Sequence, residues 1–340
     1  MRTQMRSQMR TYRFVTADVF TDMQFGGNPL AVLLDARGLT GEEMLAVARE
    51  FNYSETTFVL PPERGGDARV RIFTPGGEVP FAGHPTVGTA HVLFATGALP
   101  ATAGEQRVVL EEAIGDVPVL VRFGSAAPGG DPSRAAPGAA AGLGGIEPAF
   151  AQLSVAALPT ERDAPDAGAL ADALSLAPDD LLGGDWAPRV ASCGLPFTLV
   201  AVRGADAVRR ARVRGDAWER AFAGHGRGVS EGAMVFALDA AAGGDVHARV
   251  FVPDLSVPED PATGSACAAL GGYLARRTPR LDGTLRWTVA QGLEMGRPSR
   301  LEVEADRAGG ATTAVRVGGR SVIVSDGTLR LRGAPAGGGR

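Results

Sequence analysis

The sequence predicts an α+β fold built from two similar units. Three observations indicate this. Segments that alternate between apolar and polar residues are interleaved with segments of helical spacing, the chain of 340 residues is long enough for about two domains, and one stretch recurs in the second half. Because 45% of the residues are hydrophobic and 21% are charged, each unit can bury a sizeable core.

The first half opens with a strand pattern over Tyr12–Phe20, followed by the break GGNP and a second apolar run, LAVLL. Thr40 and Glu43 form a capping box ahead of an apolar face with helical spacing, which predicts a helix. The run TFVL and the alternating ARVRIF predict two further strands. A helix of small residues is then expected to start near Pro85.

Residues 124–145 are nearly all Ala, Gly, Pro and Ser, which predicts a flexible linker. It separates an expected N-terminal domain, 11–123, from an expected C-terminal domain, 146–326. Four strands close the chain, and the last, near 327–333, is expected to complete the first domain. The patterns of the second half predict a helix at Asp166–Leu174, strands at Phe197–Val202, Ala233–Leu238 and His247–Val252, and a small-residue helix from near Thr263.

The recurring stretch joins a strand, a loop and a helix start. RIFTPGGEVP from Arg71 matches RVFVPDLSVP from Arg249 at an offset of 178 residues, and HPTVGTA from His84 matches DPATGSA from Asp260 at an offset of 176. This alignment predicts that His84 and Asp260 each lie at the mouth of a helix, on opposite sides of one cleft. Such a pair suits acid/base chemistry.

The two predicted small-residue helices also suggest what the cleft binds. The first turn of a helix leaves backbone N–H groups unpaired and carries partial positive charge, so it attracts a carboxylate or a phosphate. Two equivalent helices would direct both N-termini at one interdomain cleft, where small ligands commonly bind. A small carboxylate is therefore the expected ligand.

The residues alone leave other interpretations open. Asp260 could be an N-cap or loop residue, His84 a turn histidine packed on its own domain, and Glu55, in the polar turn NYSET, a solvated surface charge. Because no GxSxG motif is present, Ser265 is read as a donor at a helix start and not as a nucleophile. Of the two cysteines, only Cys193 could reach a cleft.

Composition excludes several classes of function. The chain contains no lysine, so all 34 basic residues are arginine, and Schiff-base and Walker-type phosphate chemistry are excluded. A net charge of −4 argues against nucleic acid as a partner. No apolar run approaches the roughly 20 residues of a membrane span, and two cysteines fit a reducing cytoplasm. The four histidines have no metal-ligand spacing, so no metal site is expected.

Taken in order, five motifs resemble the PhzF-like phenazine-biosynthesis family, whose fold is similar to that of diaminopimelate epimerase. They are GGNPLAV, NYSETTFVL, RIFTPGGEVPFAGHPTVGTA, EDPATGSA and QGLEMGRPS. The resemblance covers roughly Tyr12 to Val303. It implies two pseudo-symmetric domains, each a curled β-sheet or barrel around a central helix, with the active site between them.

The same resemblance implies roles for individual residues. The glutamate of the SET motif, Glu55, corresponds to the family's general acid/base. His84 of GHPT and Asp260 of EDPATGS correspond to residues that assist the proton shift. No cofactor is implied.

Four further residues match positions that bind substrate in the family. Gly83, Gly264 and Ser265 resemble the backbone that binds the anion at the two helix starts, and Asn28 of GNP matches another position in the cleft. Related epimerases place a cysteine at each helix mouth, and here neither mouth has one. A two-thiol epimerase is therefore disfavoured.

The function expected from the sequence is a cofactor-independent isomerase of a small unsaturated or cyclic carboxylate, working as a cytoplasmic homodimer. Two alternatives stay open at this point. One is a two-base epimerase or racemase in which Cys193 or Asp260 supplies the second base. The other is a non-catalytic protein that binds a small carboxylate in the same cleft.

Overall fold

The computed structural model describes residues 9–125, 146–223, 232–238, 243–253 and 257–332. Within these residues the chain forms eighteen β-strands and six α-helices, and all eighteen strands belong to one continuous, mixed sheet. The predicted α+β class is confirmed.

The helices and strands follow the sequence patterns closely. The strands are β1 (Met9–Val19), β2 (Asn28–Leu33), β3 (Glu55–Leu60), β4 (Ala68–Thr74), β5 (Gly77–Val79), β6 (Glu105–Glu112), β7 (Gly115–Ser125), β8 (Ile146–Ser154), β9 (Thr160–Asp163), β10 (Arg189–Ser192), β11 (Pro196–Ala201), β12 (Ala233–Ala237), β13 (Val246–Val252), β14 (Val257–Asp260), β15 (Gly283–Gln291), β16 (Ser299–Ala308), β17 (Ala311–Gly319) and β18 (Ser321–Arg332). The helices are α1 (Gly41–Phe51), α2 (Gly83–Ala95), α3 (Ala167–Ala173), α4 (Ala205–Arg210), α5 (Gly215–Ala221) and α6 (Gly264–Arg277).

The pairing of the strands shows the predicted pseudo-symmetry. In the first half β1 is antiparallel to β2, β2 parallel to β3, β3 antiparallel to β4, and β4 antiparallel to β5 and parallel to β6. Strands β10 to β15 repeat each of these steps with the same orientation. The series β6, β7, β8 and the series β15, β16, β17 then continue as antiparallel neighbours in both halves.

Helices α2 and α6 lie at the centre of their halves. In α2 every residue from Gly83 to Phe94 is buried, and in α6 eleven residues are buried. Their Gly, Ala, Ser and Thr residues allow the surrounding strands to approach closely, and a helix that is apolar on all sides is stable only when it is enclosed. The remaining helices pack on the outside of the sheet, where α1 buries Met44, Val47 and Ala48.

The two halves are joined by strand pairing as well as by the chain. Strand β18 is antiparallel to β1 along its length, from Met9 opposite Arg332 to Val19 opposite Ser321, and β8 pairs with β17. Strand β7 extends through Ser125, and the rest of the predicted linker, 126–145, lies outside the described residues. The domain limits expected from the sequence stay a prediction.

One detail of the sequence alignment is wrong. The two helices start at Gly83 and Gly264, an offset of 181 residues, and not at the offset of 176 that superposed His84 on Asp260. The second hairpin is longer than the first, so the register shifts in the opposite direction to the one expected. His84 is therefore the second residue of α2 and corresponds to Ser265, whereas Asp260 ends β14, before α6 begins.

Candidate active site

The N-termini of α2 and α6 meet at the centre of the molecule. A methyl group built on Gly83 would lie 3.5 Å from the Cα atom of Gly264 and 3.6 Å from the amide nitrogen of Ser265, so the two helix starts are in van der Waals contact. Neither N-cap residue, Ala82 or Thr263, caps its helix with its side chain. The first-turn N–H groups of two helices therefore concentrate positive potential at this junction.

A small pocket opens beside this junction. It is lined by Gly83, Gly264 and Ser265, three of the residues predicted to bind substrate, together with apolar side chains that include Phe20 and Phe81. The lining contains no basic side chain.

Glu55 and His84 face each other next to the helix junction. Glu55 is the first residue of β3 and His84 lies in the first turn of α2, and 3.4 Å separates Oε2 of Glu55 from Nε2 of His84. Their side chains are 17% and 6% exposed. Both atoms are buried without a hydrogen-bond partner among the described residues.

Burial suppresses the charge on both groups. It raises the pKa of Glu55 to about 8, and the nearby carboxylate of Asp260 acts in the same direction. Burial lowers the pKa of His84 to about 3, an effect that the hydrogen bond to the Pro29 carbonyl partly opposes. Near neutral pH the site therefore holds a largely protonated carboxyl group beside a neutral imidazole. Since the Pro29 carbonyl can only accept, the ring nitrogen that contacts it carries the proton, and Nε2 is left as an acceptor.

Asp260 is held by donors from both halves of the molecule. Nδ2 of Asn28 donates to Oδ1 at 2.9 Å, and Oγ1 of Thr263 donates to Oδ2 at 2.5 Å. Burial raises the pKa of Asp260, and the hydrogen bonds from Thr263 and Asn28 oppose that rise. The two hydrogen bonds favour the ionised form of Asp260 against the effect of burial.

Sequence reasoning missed one residue that holds Asp260 in place. Gln291, fully buried at the end of β15, donates through Nε2 to the main-chain carbonyl of Asp260 at 2.7 Å and to Oγ1 of Thr263 at 3.1 Å. Its Oε1 accepts from the N–H of Thr263 at 3.2 Å. Gln291 opens the motif QGLEMGRPS, which carried the resemblance without any role for its residues.

The loop that carries Asn28 is fixed to the second half by Arg297. The guanidinium donates to the carbonyls of Gly26 at 2.5 Å and Gly27 at 2.7 Å. Gly27 has a φ of 57°, and a methyl group built there would lie 2.3 Å from the carbonyl oxygen of Val19, so only glycine fits. This loop brings Asn28, from the first half, to Asp260 in the second.

Cys193 does not join this cluster. Its thiol is buried in the core and donates to the carbonyl of Ala268, one turn into α6, at 3.3 Å. Burial raises the pKa of Cys193 to about 12, so the thiolate is not accessible near neutral pH. The expectation that this thiol could reach the cleft is wrong.

Comparison with known proteins decides the family. The model of the phenazine biosynthesis-like protein family, PhzC-PhzF, matches residues 17–327. The chain belongs to this family. The resemblance seen in the sequence is thereby confirmed.

Relatives of this PhzF-family protein include isomerases. An uncharacterised isomerase of Mesorhizobium japonicum is 39% identical over 326 residues, which cover 94% of this chain and 99% of that protein. The trans-2,3-dihydro-3-hydroxyanthranilate isomerase of Pseudomonas aeruginosa is 34% identical over 321 residues, covering 94% of this chain and all of the relative. The PhzF-family protein described here is an enzyme of the isomerase class.

Solved structures agree with this assignment. A PhzF-family phenazine biosynthesis protein of Bacillus anthracis has a TM-score of 0.78 and 25% identity, with 94% of this chain and 99% of that one covered. A hydroxyproline epimerase of Agrobacterium vitis has a TM-score of 0.57 at 13% identity, covering 95% of this chain and 93% of that one, and so shares the fold alone. None of the described helices of this isomerase is long and apolar enough to cross a membrane.

Proposed function

We propose that this PhzF-family isomerase moves a proton between two carbon atoms of a small unsaturated or cyclic carboxylate, without a cofactor, in the cleft between α2 and α6. The observation that carries the proposal is the buried pair of Glu55 and His84, 3.4 Å apart with their facing atoms unpartnered. A buried acid with a pKa near neutrality is suited to take up and return a proton.

The helix junction supplies the anion site. The first-turn N–H groups of Gly83, Gly264 and Ser265 bind the carboxylate of the substrate, because two helix dipoles favour negative charge there. The buried and unpartnered Oδ1 of Asn28 accepts a hydrogen bond from a donor group of the same molecule. With the anion fixed at the junction, the reacting carbons lie next to Glu55.

Proton transfer uses one base. In its ionised form Glu55 removes a proton from one carbon of the substrate as its C–H bond breaks, and the electron pair shifts along the unsaturated system. Glu55 then returns the same proton to another carbon on the same face, which restores the carboxylate. Nothing is oxidised or reduced, and no group leaves.

Two residues next to Glu55, Asp260 and His84, affect its basicity and its hydrogen bonding. Asp260, fixed by Asn28 and Thr263, places a negative charge near Glu55 that raises its basicity. His84, which is neutral, accepts a hydrogen bond from protonated Glu55 or from the substrate through Nε2. These roles follow the family's pattern at the matching residues.

The relatives suggest a first substrate to test. Trans-2,3-dihydro-3-hydroxyanthranilate, named for relatives at 33–34% identity, is a cyclic unsaturated carboxylate and is the first compound to assay. By the same likeness we propose a homodimer in a reducing cytoplasm. Light scattering on the purified protein measures the oligomeric state.

The decisive experiment is Glu55→Gln, assayed for turnover and for binding of the same carboxylates. Turnover should fall by about 10²- to 10⁴-fold with binding retained, since the amide keeps the shape but cannot carry the proton. Glu50→Gln, on the exposed face of α1, is the matched control and should be fully active. Unchanged turnover in Glu55→Gln would overturn the proposal.

A two-base epimerase is the second candidate, with Asp260 as the other base. The electrostatic effect of Asp260 on Glu55 favours it, because the two carboxyl groups are close enough to interact. Turnover in D2O separates the two reactions. Deuterium that enters a stereocentre with inversion indicates two bases, whereas migration of the substrate's own hydrogen between carbons indicates one.

A further inference from the structure

A second buried carboxyl group lies behind the first turn of α2. Glu112, the last residue of β6, is 2% exposed, and its Oε1 lies 2.6 Å from Oγ1 of Thr86. Its other carboxyl oxygen, Oε2, is buried without a hydrogen-bond partner among the described residues. The same hydroxyl of Thr86 lies 2.8 Å from the carbonyl oxygen of Ala82, the N-cap residue of α2.

The pseudo-symmetry of the two halves relates Glu112 to Gln291. Strand β6 runs parallel to β4 as β15 runs parallel to β13, and both residues are the last of their strands, two positions beyond the pairs Ala68 with Leu110 and Val246 with Val289. Their partners also correspond. Thr86 is the fourth residue of α2 and Cys267 the fourth of α6, and Sγ of Cys267 lies 4.0 Å from Oε1 of Gln291.

In the second half this position has a clear structural effect. The amide of Gln291 makes three hydrogen bonds to Asp260 and Thr263, and these fix the start of α6. The amide can do so because it carries both donor and acceptor atoms and no charge. A carboxylate at the equivalent place would be a buried charge without a cation to pair with.

A protonated Glu112 accounts for both contacts of the Thr86 hydroxyl. Thr86 has one hydroxyl hydrogen but two acceptors within reach, the carbonyl oxygen of Ala82 and the carboxyl oxygen of Glu112. If Thr86 donates to Ala82, the 2.6 Å contact requires the hydrogen to come from Glu112. A chain then runs from the carboxylic acid to the hydroxyl to the N-cap carbonyl, with each step satisfied.

We propose that Glu112 is a positioning residue that acts as a neutral carboxylic acid, holding the first turn of α2, with Gly83 and His84, as the amide of Gln291 holds the start of α6. Its effect on turnover rests on the proposed function. Burial raises the pKa of Glu112 to about 8, in agreement with a proton held there.

Among the described residues, the surroundings of Glu112 supply no compensating cation. Arg64 donates to the main-chain carbonyl of Glu112, and its charge is paired with Asp116 on β7. On α2, burial lowers the pKa of His84 to about 3 and that of His91 to about 4, so both are neutral. Ionising Glu112 removes the hydrogen that it donates to Thr86 and breaks the chain to the Ala82 carbonyl, which predicts a loss of order in the first turn above about pH 8.

The test compares Glu112→Gln with Glu112→Ala, each assayed from pH 6 to pH 10. The amide restores an uncharged donor, so Glu112→Gln should keep turnover near that of the wild type and should keep it at alkaline pH, where the wild type declines. Glu112→Ala should lose about 10- to 100-fold in turnover from misplacement of Gly83 and His84. Glu105→Gln, at the exposed start of the same strand, is the matched control.

An infrared difference spectrum, wild type minus Glu112→Gln, keeps the proposal testable if Glu112→Ala does not fold. A protonated carboxyl band at pH 7 that disappears on titration above about pH 8 is the expected result. A carboxylate band at pH 7 would overturn the proposal, as would Glu112→Gln being as impaired as Glu112→Ala, or Glu112→Ala being fully active. If the wild type turns over no carboxylate at all, the proposed function fails while the infrared result still decides the state of Glu112.

Discussion

The two halves of the cleft share one strand order but differ in electrostatic character. In the first half three groups around the start of α2 are held neutral, since burial raises the pKa of Glu55 and Glu112 to about 8 and lowers that of His84 to about 3. In the second half two carboxyl groups are supplied with hydrogen-bond donors. Asp260 accepts two side-chain hydrogen bonds, and Arg249 forms a bidentate pair with Glu259.

The equivalent hairpins show this electrostatic difference in their arginine–glutamate ion pairs. Arg71 pairs with Glu78 between β4 and β5 as Arg249 pairs with Glu259 between β13 and β14, and each arginine also lies over a phenylalanine ring. The first arginine is 24% exposed and the second 4%. The two halves therefore share a strand arrangement but differ in electrostatics. The proposed one-base reaction needs such a difference between the halves.

Arg249→Met should give the largest effect. It leaves the carboxylate of Glu259, which is 17% exposed, without its partner, and breaking a buried pair in this way costs about 3–5 kcal/mol of unfolding free energy. The equivalent change in the exposed pair, Arg71→Met, should cost less than about 1 kcal/mol. Chemical denaturation of both variants at pH 7 measures the difference. Equal losses of unfolding free energy would show that the two ion pairs contribute equally to stability.

The neutral character of the first half predicts how stability depends on pH. The pKa of Glu55 is about 8 in the folded protein and 4.5 as the ordinary value, so the stability it contributes is fully present below pH 4.5 and is lost as the pH rises towards 8. Glu55→Gln removes this loss. The variant should therefore exceed the wild type in unfolding free energy by about 4 kcal/mol at pH 8, and match it near pH 4.5.

Denaturation curves of the Glu55→Gln variant and the wild type across this pH range give the comparison. Glu50→Gln, an exposed change in α1, should follow the wild type at every pH. A difference that stays constant with pH would mean that Glu55 is ionised in the folded protein, and the first half would then lose its neutral character.

A smaller effect is expected from Thr263→Val. The change removes the hydroxyl that donates to Oδ2 of Asp260 and leaves that buried oxygen unsatisfied, at about 1–2 kcal/mol. It should also raise the pKa of Asp260, because a hydrogen bond that favours the ionised form is lost. Thr263→Ser keeps the hydroxyl and should restore both properties. If Thr263→Ser and Thr263→Val lose the same unfolding free energy and shift the pKa of Asp260 equally, the Thr263 hydroxyl does not stabilise the ionised form of Asp260.

Cys193→Ala should have the smallest effect. The thiol donates only to the Ala268 carbonyl in the core, so turnover should be unchanged and stability should fall by about 1 kcal/mol or less. Iodoacetamide should label Cys193 in the unfolded protein and not in the folded one. Loss of activity on labelling of the folded enzyme would indicate that a thiol lies in the cleft, contrary to the buried position of Cys193.

Features that depend on neighbouring residues could be predicted from the sequence. Thr40 and Glu43 form both hydrogen bonds of the expected capping box, and the helix that follows ends at Asn52, in a left-handed conformation. The family motifs also assigned these four residues to one cleft, and the structure brings Glu55 to His84 and Asn28 to Asp260.

Features that depend on distant pairing could not be predicted. The function of Gln291 follows from β15 lying beside β13, which no local pattern shows. The helix register was misjudged because the second hairpin is longer than the first, and a sequence rich in Ala and Gly offers false matches at other offsets. Burial of Cys193 against Ala268 is likewise a property of packing and not of the motif ASCGLPF.

Because β18 pairs with β1, the fold of the first half can be completed only after the last strand has been synthesised. Oγ1 of Thr16 and Oγ of Ser325 lie 2.7 Å apart although 309 residues separate them in the chain. At about 5–20 residues per second, a ribosome needs some fifteen seconds or more to synthesise the second strand after the first. Until then β1 has an open edge, so the nascent first half, with Glu55 and His84 already emerged, depends on the last strand to close.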